Sequence, residues 1–384
     1  MASEYLYPPK PAPALNIPPG ASAKVQIINT SATITAPVGV FMYPEIHGHE
    51  LLHVPAFSFL VEQLSSGRKI LFDLSCRKDW QNFPPAVQKV ISGPGWKLDI
   101  PKSVSEVLQE NGVDAAAGAI EAIVWSHWHF DHTGDPSLFP TSTAVIAGPG
   151  MKEAFLPGYP TNPESPLRES DLKGRELKSL DFENSPTLKI GQFRALDYFN
   201  DGSFYLLDAP GHAVGHVCGL ARVTSTLEGD KEDTFIFMGA DTAHHGGEFR
   251  PSEYLPLPKS IQPSPFSSKY PSSCPGHIFE TVHPNPSGKG SEPFYRLQDK
   301  VTHSLEQAEQ SCSHMQEFDA AENVFVIIAH DATLLDDQVG IEWFPHGTLK
   351  NWKEKGCAKR ARWAFLKDFT QAVDEAEAKS RSSL

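Results

Sequence analysis

Cysteine is scarce in this chain and carries no pattern. Five occur among 384 residues, at Cys76, Cys218, Cys274, Cys312 and Cys357, an odd number at wide spacing. That argues against a disulfide framework and for a reducing compartment. With no Cys-x-x-Cys pair, a zinc site built on thiolates is not expected either. Long apolar runs are missing too: no segment approaches the roughly 18 residues of a membrane span. The N-terminal stretch Met1 to Pro9 lacks the charged and apolar regions of a secretory signal. A cytoplasmic location and no membrane partner are therefore expected. Positive charge is in short supply as well, with 33 Lys and Arg against 47 Asp and Glu and a net charge of −14. Such a surface repels phosphate backbones, so nucleic acid is not an expected partner.

What the chain does have is a concentration of imidazole. Ser126-His127-Trp128-His129-Phe130-Asp131-His132-Thr133-Gly134-Asp135 places three histidines and an aspartate directly after the apolar run Ile120 to Trp125. The run reads as a buried strand and the Thr-Gly-Asp-Pro after it as a loop. Imidazole and carboxylate suit a borderline metal such as zinc. A chain leaving a strand end can turn His127 and His129 to one point, and Asp131 and His132 to a neighbouring one. The plainer alternative is a polar loop with surface histidines.

The pattern H-x-H-x-D-H after a strand resembles the signature of the metallo-β-lactamase-fold hydrolases. Later motifs continue the resemblance in order over about residues 25 to 335: His212 in Asp208-Ala209-Pro210-Gly211-His212, Asp241 in Met238-Gly239-Ala240-Asp241, and His330 in Ile327-Ile328-Ala329-His330-Asp331. The ending at His330-Asp331 and the run from Asp241 to Ser252 look like the acyl-homoserine-lactonase branch and its fungal lactonase and lactamase relatives. The resemblance implies an α/β fold, the four-layer αββα sandwich, and two divalent metal ions, zinc first with iron or manganese as alternatives. One ion falls to His127, His129 and His212, the second to Asp131, His132 and His330, with Asp241 between them. Asp73, at the end of the strand Lys69 to Leu74, matches the place of a carboxylate that steers a metal-bound histidine; a turn residue at a strand end is the other reading. His216, in Gly215-His216, is expected beside the ligands or in the core rather than among them. In the lactonase branch a tyrosine near the bridging aspartate can contact substrate. Here that neighbourhood holds His244, a candidate for a substrate contact and equally for a loop histidine tucked against the metals.

Two metal ions about 3.5–4 Å apart would hold and acidify one water for attack on a carbonyl, and Asp131 is the candidate to relay a proton to the leaving group. The expected function is opening of a small cyclic ester or amide, a lactone or γ-lactam, in xenobiotic or signal detoxification. A glyoxalase-II-type thioesterase and an iron-dependent sulfur dioxygenase share the fold and stand as alternatives. The thioesterase would need a basic patch for its anionic carrier, and the sequence offers none that is identifiable.

The remaining expectations concern organisation. Residues 1–22, with six prolines between positions 8 and 20, form an extended arm, either a homodimer contact or a strap over its own subunit. Residues 23–384 form one domain with surface excursions at about 148–186 and 244–322, of which 148–186 and 244–290 are expected to frame the substrate. Residues 24–35 read as strand with a hairpin turn at Asn29-Thr30-Ser31, and residues 77–102 as irregular. Ser103-Val104-Ser105-Glu106 is a capping box opening a short helix. A helix is expected over 293–318, with Phe294, Leu297, Val301 and Leu305 on one face, and an amphipathic one over 358–378. Tyr43 to Glu50 also contains a His-x-His pair, His47 and His49; no Asp-His follows it, so it reads as a surface loop. The roles of His245 and of this pair are not legible.

Overall fold

The computed structural model describes residues 4–285, 287–288 and 290–382. Two six-stranded sheets dominate it, and in each the spatial order of strands equals their order in the chain. The first comprises β1 (Ala23–Ile28), β2 (Ser58–Gln63), β3 (Lys69–Phe72), β4 (Ala122–Val124), β5 (Ala144–Ala147) and β6 (Leu177–Ser179). β1, β2 and β3 pair antiparallel and β3 to β6 parallel. The second comprises β7 (Leu188–Ile190), β8 (Phe193–Asp197), β9 (Phe204–Asp208), β10 (Val217–Thr224), β11 (Thr234–Met238) and β12 (Val324–Ile327). It is antiparallel up to its last pair, β11 with β12.

Strand alternation sends one set of side chains from each sheet into a shared core, among them Val25, Phe59, Ile70 and Val124 against Phe204, Leu206, Ile236 and Phe325. The opposite face of the first sheet packs Leu60, Leu71 and Ile123 on the helix Val104–Glu110 through Val107 and Leu108. The opposite face of the second packs Phe235 and Phe237 on the helix Leu305–Ala320 through Cys312, Met315 and Phe318. Burial on both faces explains why these strands read as nearly continuous apolar runs. The result is the expected four-layer αββα sandwich. No helix among the described residues is long and apolar enough to cross a membrane.

A further core lies beyond the strand ends. It joins Ile34 and Leu52, from a small three-stranded sheet, to Leu257 and Phe294 and to Phe365, Phe369 and Val373 near the C-terminus. Residues 250–295 and the C-terminal segment thus form one body over the edge of the sandwich. The N-terminal arm is laid along its own chain, as the strap reading expects: Leu6 N–H donates to Leu257 O at 2.9 Å and Lys10 N–H to Glu253 O at 2.8 Å, while Leu15 and Ile17 pack on the outer core of the second sheet.

Several local expectations need correction. Asn29 to Ser31 does turn, with Ser31 N–H donating to Asn29 Oδ1 at 2.8 Å, but no hairpin results. β1 pairs with β2, whereas Thr33–Pro37 pairs with Leu51–Val54 and Lys97–Asp99 in the small sheet. Residues 77–102 are not irregular throughout, since they hold the helix Pro85–Ile91 and the strand Lys97–Asp99. The 148–186 stretch carries the short helices Met151–Phe155 and Glu169–Leu172 and then supplies edge strand β6. The helix expected over 293–318 begins only at Leu305. Arg296–Leu297 instead pairs with Met42–Tyr43, so the helical spacing of Phe294, Leu297 and Val301 arose from separate burial demands. The C-terminal amphipathic stretch is broken into Cys357–Ala361, a 3₁₀ turn Ala364–Phe369 and Thr370–Ser382. Trp363, Phe365, Leu366 and Phe369 are all buried, more apolar neighbours than one face of a straight α-helix can present.

A buried ion pair ties the added body to the sandwich. Arg250 Nη2 and Nε donate to Asp319 Oδ1 and Oδ2 at 2.6 and 2.8 Å, and Arg250 Nη1 donates to Arg362 O at 3.0 Å. Burial pushes the Asp319 carboxyl up, but the Arg250 guanidinium outweighs it and holds it below the usual carboxylate range. Asp319→Asn leaves a buried guanidinium without its counter-charge and should cost about 3–5 kcal/mol in denaturant unfolding at neutral pH. Because the folded pKa is depressed, the pair's contribution is present above the ordinary value of about 3.9 and lost as pH falls through the folded one. The gap between variant and wild type should therefore narrow below about pH 4.

Candidate metal centre

Every residue of the site leaves the carboxyl end of a strand. Asp73 follows β3, His127 follows β4 after Trp125 and Ser126, His212 follows β9, Asp241 follows β11 and His330 follows β12. Asp131 and His132 lie in one helical turn, Phe130–Thr133, which turns the chain back beneath β3. Leu74 N–H donates to His132 O at 2.8 Å, and Trp125 Nε1–H donates to Thr133 O at 3.0 Å. Gly134 has φ +51, and a Cβ there would lie 2.4 Å from Leu74 Cβ, so the turn cannot close on a larger residue. Gly211 plays the same part for His212: its φ is +127, and a Cβ would meet Ala308 N of the helix Leu305–Ala320 at 2.0 Å.

The seven sequence-derived ligand candidates fall into two groups. His127, His129, His212 and Asp241 form one, and Asp131, His132 and His330 the other, each with its donor atoms within 4.8 Å of one another. Asp241 faces both. Its Oδ2 lies 3.4 Å from His212 Nε2 and 3.7 Å from His127 Nε2. Its Oδ1 lies 3.1 Å from His132 Nε2 and 3.2 Å from His330 Nε2. His212 Nε2 is 3.2 Å from His127 Nε2 and 3.0 Å from His129 Nδ1, and His330 Nε2 is 3.4 Å from Asp131 Oδ2.

These spacings can be tested against a cation. A tetrahedral ion with ligands at 2.0–2.1 Å sets neighbouring donor atoms about 3.3–3.4 Å apart, close to what is found. His132 Nε2 and Asp241 Oδ1, both buried, lie in no hydrogen-bond geometry with any described group. A buried carboxylate oxygen among imidazole nitrogens marks a place for positive charge. Burial pushes the His127, His129 and His212 imidazoles down, His129 to about 3, so all three are neutral and able to ligate. Burial opposes protonation of His132 as well, yet Asp241 and Asp73 hold it well above its ordinary value. The carboxylates there call for a cation. The donor set fits two divalent ions.

Outer partners orient the donors. Asp73, at φ +60, sets Oδ2 2.8 Å from His132 Nδ1 and accepts from Ser126 N–H at 2.7 Å and Ser126 Oγ–H at 2.8 Å. One carboxylate thereby fixes both the His132 ring and the start of the histidine loop. His216 stands outside both groups: its Nδ1–H donates to Ala209 O at 2.8 Å and its Nε2 accepts from Asp241 N–H at 3.3 Å. It holds the Asp241 backbone. His330 Nδ1–H donates to Pro55 O at 2.8 Å, which leaves Nε2 facing the site.

His244 is 2 % exposed, with Nε2 3.4 Å from Asp241 Oδ2 and its ring against Phe41 and His212. It lies behind Phe41 and is not among the residues that line the cleft. His49 is also buried, contrary to a surface loop, while His47 is exposed. His49, His245 and Asp368 form a third group of possible donors. Hydrogen bonding argues against a metal there. His245 Nδ1 accepts from Gly247 N–H at 3.0 Å, which places its proton on Nε2, 3.2 Å from Asp368 Oδ2. Neither nitrogen is left to ligate. The group closes the C-terminal segment onto the site.

The two donor groups open on a cleft of about 590 Å³. His129, Asp131, His212 and Asp241 line its floor, and Phe41, Trp96, Trp128, Phe130 and Phe155 its walls. Ala154, Phe155, Glu164 and Pro166 come from the 148–186 excursion as expected. The expected contribution from 244–290 does not appear; Lys300 to His303 and, above all, Ala86 to Trp96 take that place. The sequence reading missed Trp96 and the helix before it. Their signal was present in an aromatic- and Pro-rich stretch, but nothing in its spacing tied it to the histidines.

Comparison with known proteins agrees with the fold. Residues 53–227 match the model of the metallo-beta-lactamase superfamily. The chain is similar to gamma-lactamase FDB1 of Fusarium pseudograminearum, 38% identical, with 99% of this chain and 89% of that one covered. It is also similar to metallo-hydrolase mfmC of Annulohypoxylon moriforme, 40% identical over 95% of this chain and 92% of that one. In fold it resembles a solved N-acyl homoserine lactone hydrolase with the product N-hexanoyl-L-homoserine bound at its catalytic metal centre, at 17% identity and a TM-score of 0.50, covering 84% of this chain and 98% of that one.

The role of Asp73 yields a direct expectation. Asp73→Asn keeps the size but removes the charge behind His132, so metal should be held 10–100-fold more weakly, as read by chelator competition. Metal retention equal to wild type would assign Asp73 to the turn alone.

Proposed function

Because the chain belongs to the metallo-beta-lactamase superfamily and is a hydrolase of the lactonase and lactamase type, we propose that it opens a small uncharged cyclic ester or amide, a lactone or γ-lactam. His127, His129 and His212 would hold one divalent ion and Asp131, His132 and His330 a second, with Asp241 facing both groups. The observation that carries this assignment is the division of Asp241, with Oδ2 towards the first set of nitrogens and Oδ1 towards the second. Two such ions, when bound, supply Lewis acidity to a carbonyl and bring the ionisation of water towards neutral pH.

The protein's own residues supply the rest. Phe41, Trp96, Trp128 and Phe130 present apolar faces to the substrate and exclude water from its ring. Asp131, its side chain 12 % exposed, is the carboxylate between the donor groups and the cleft. It can take up a proton at Oδ1 or Oδ2 and deliver it to the leaving oxygen or nitrogen. The cleft also speaks against a thioester on an anionic carrier. Lys300 is the one lysine in its lining, and Nζ is engaged by Gly39 O at 3.0 Å.

Gently purified protein should carry about two equivalents of zinc, iron or manganese, and their removal should abolish activity. A single iron with oxygen uptake on a persulfide would instead support the dioxygenase. Asp131→Asn should lower kcat by about 10²–10⁴ on a lactam. An activated phenyl ester, whose leaving group needs less protonation, should suffer less. Equal losses on both substrates, with metal content intact, would remove the proton relay and leave Asp131 a ligand only. A panel of lactones, lactams and thioesters on the wild type decides which bond is cut.

A further inference from the structure

We propose that Arg77 is a positioning residue whose buried guanidinium fixes the aromatic wall of the cleft against the loop bearing Asp131, and thereby sets which substrates fit. The proposal rests on the hydrolase reading of the cleft and carries it from reaction to selectivity.

Arg77 lies four residues beyond Asp73 and is 3 % exposed. Its donors reach three carboxylates from three pieces of chain. Nε donates to Asp79 Oδ1 at 2.7 Å and Nη2 to Asp79 Oδ2 at 3.3 Å. Nη2 also donates to Asp135 Oδ2 at 3.0 Å. Nη1 reaches both oxygens of Asp171, at 3.2 and 3.1 Å. Asp79 opens the segment that leads to Trp96. Asp135 closes the histidine loop, four residues after Asp131, and its Oδ1 accepts from Ser137 N–H at 3.0 Å. Asp171 sits on the helix Glu169–Leu172 of the 148–186 excursion. Arg168 adds a longer contact of 3.8 Å to Asp79. A planar guanidinium with five donors can serve three carboxylates at once, which a lysine ammonium on a flexible stem cannot reproduce.

The same guanidinium backs the wall of the cleft. It lies 6.0 Å from the centre of the Phe83 ring. Phe83 meets Phe130 edge-on at 5.6 Å, and Phe130 meets Trp96 edge-on at 6.1 Å. Phe130 and Trp96 both line the cleft. Without the guanidinium, the largely buried Asp135 and Asp171 carboxylates and the half-exposed Asp79 carboxylate face one another without a counter-charge. Their repulsion drives the Asp79 and Asp171 segments away from the histidine loop, and Phe83 and Trp96 move with them. The donor atoms for metal stay where Asp73, Ser126 and Asp241 hold them. Loss of Arg77 therefore acts on binding rather than on metal retention.

The experiment compares wild type, Arg77→Met and Arg77→Lys as metal-loaded protein. A neutral naphthylamine fluorophore reports the cleft by titration, and KM and kcat are measured on a bulky aromatic lactone and a small aliphatic one. In Arg77→Met the fluorophore Kd and the KM for the aromatic lactone should each rise about tenfold, with kcat within about threefold and metal content unchanged. The small lactone should change little, and Arg77→Lys should recover only part of the loss. Should Arg77→Met fail to fold, Asp171→Asn removes one leg of the cluster and should shift the fluorophore Kd in the same direction by less. Unchanged fluorophore binding in a folded variant would overturn the proposal, as would full rescue by lysine or a loss of activity that tracks loss of metal. If wild type binds the fluorophore yet opens no lactone or lactam, the hydrolase reading fails, while the fluorophore shift still decides the role of Arg77.

Discussion

One buried carboxylate constrains the whole edge of this sandwich. Asp241 is 3 % exposed and has five imidazoles within 4 Å, those of His127, His132, His212, His244 and His330. Burying a charge without compensation costs several kcal/mol, so this carboxylate draws positive charge to its side, and it holds His132, His244 and His330 above the ordinary imidazole range. Much of the surrounding structure serves to hold it. His216 fixes the Asp241 backbone, Asp73 and Ser126 fix the opposite loop, and Pro55 O fixes His330.

The two sheets make that convergence possible. Strands β3 and β4 run parallel in the first sheet, and β9, β11 and β12 run in a common direction in the second. Their carboxyl ends meet along one edge, where the loops are free to turn inwards. Rigid strands behind each donor give the precision, and short turns with Gly134 and Gly211 give the reach. The added body formed by residues 250–295 and the C-terminal segment then covers one side of this edge, tied to the helix Leu305–Ala320 by the Arg250–Asp319 pair. Trp96 and Trp128 line the cleft.

The donor set was legible in the sequence because strand ends and donors are coupled locally. An apolar run followed at once by His-x-His, by Pro-Gly-His or by Gly-Ala-Asp shows both the strand and the side chain that leaves it. His216 and Asp73 were legible for the same reason, each sitting at a strand end. Long-range packing was not. Phe294, Leu297 and Val301 have helical spacing, yet Phe294 and Leu297 are buried beside and within a two-residue strand, and Val301 is half-buried in the lining of the cleft. His49 looked like a surface residue because its cover comes from Tyr295 and Phe369, far along the chain. Trp96 lines the cleft between Phe41 and Phe130, and Phe83 backs Phe130 from behind. Partners distant in sequence leave no periodic trace.

The assignment of two cations to Asp241 stands or falls on where metal density lies. Anomalous diffraction from crystals of the metal-loaded protein, collected on both sides of the zinc edge, locates it without reference to activity. Two peaks about 3.5–4 Å apart, one beside Asp241 Oδ2 and the other beside Oδ1, are the expected result. A single peak on either side of Asp241, or occupancy at His49, His245 and Asp368 instead, would contradict it.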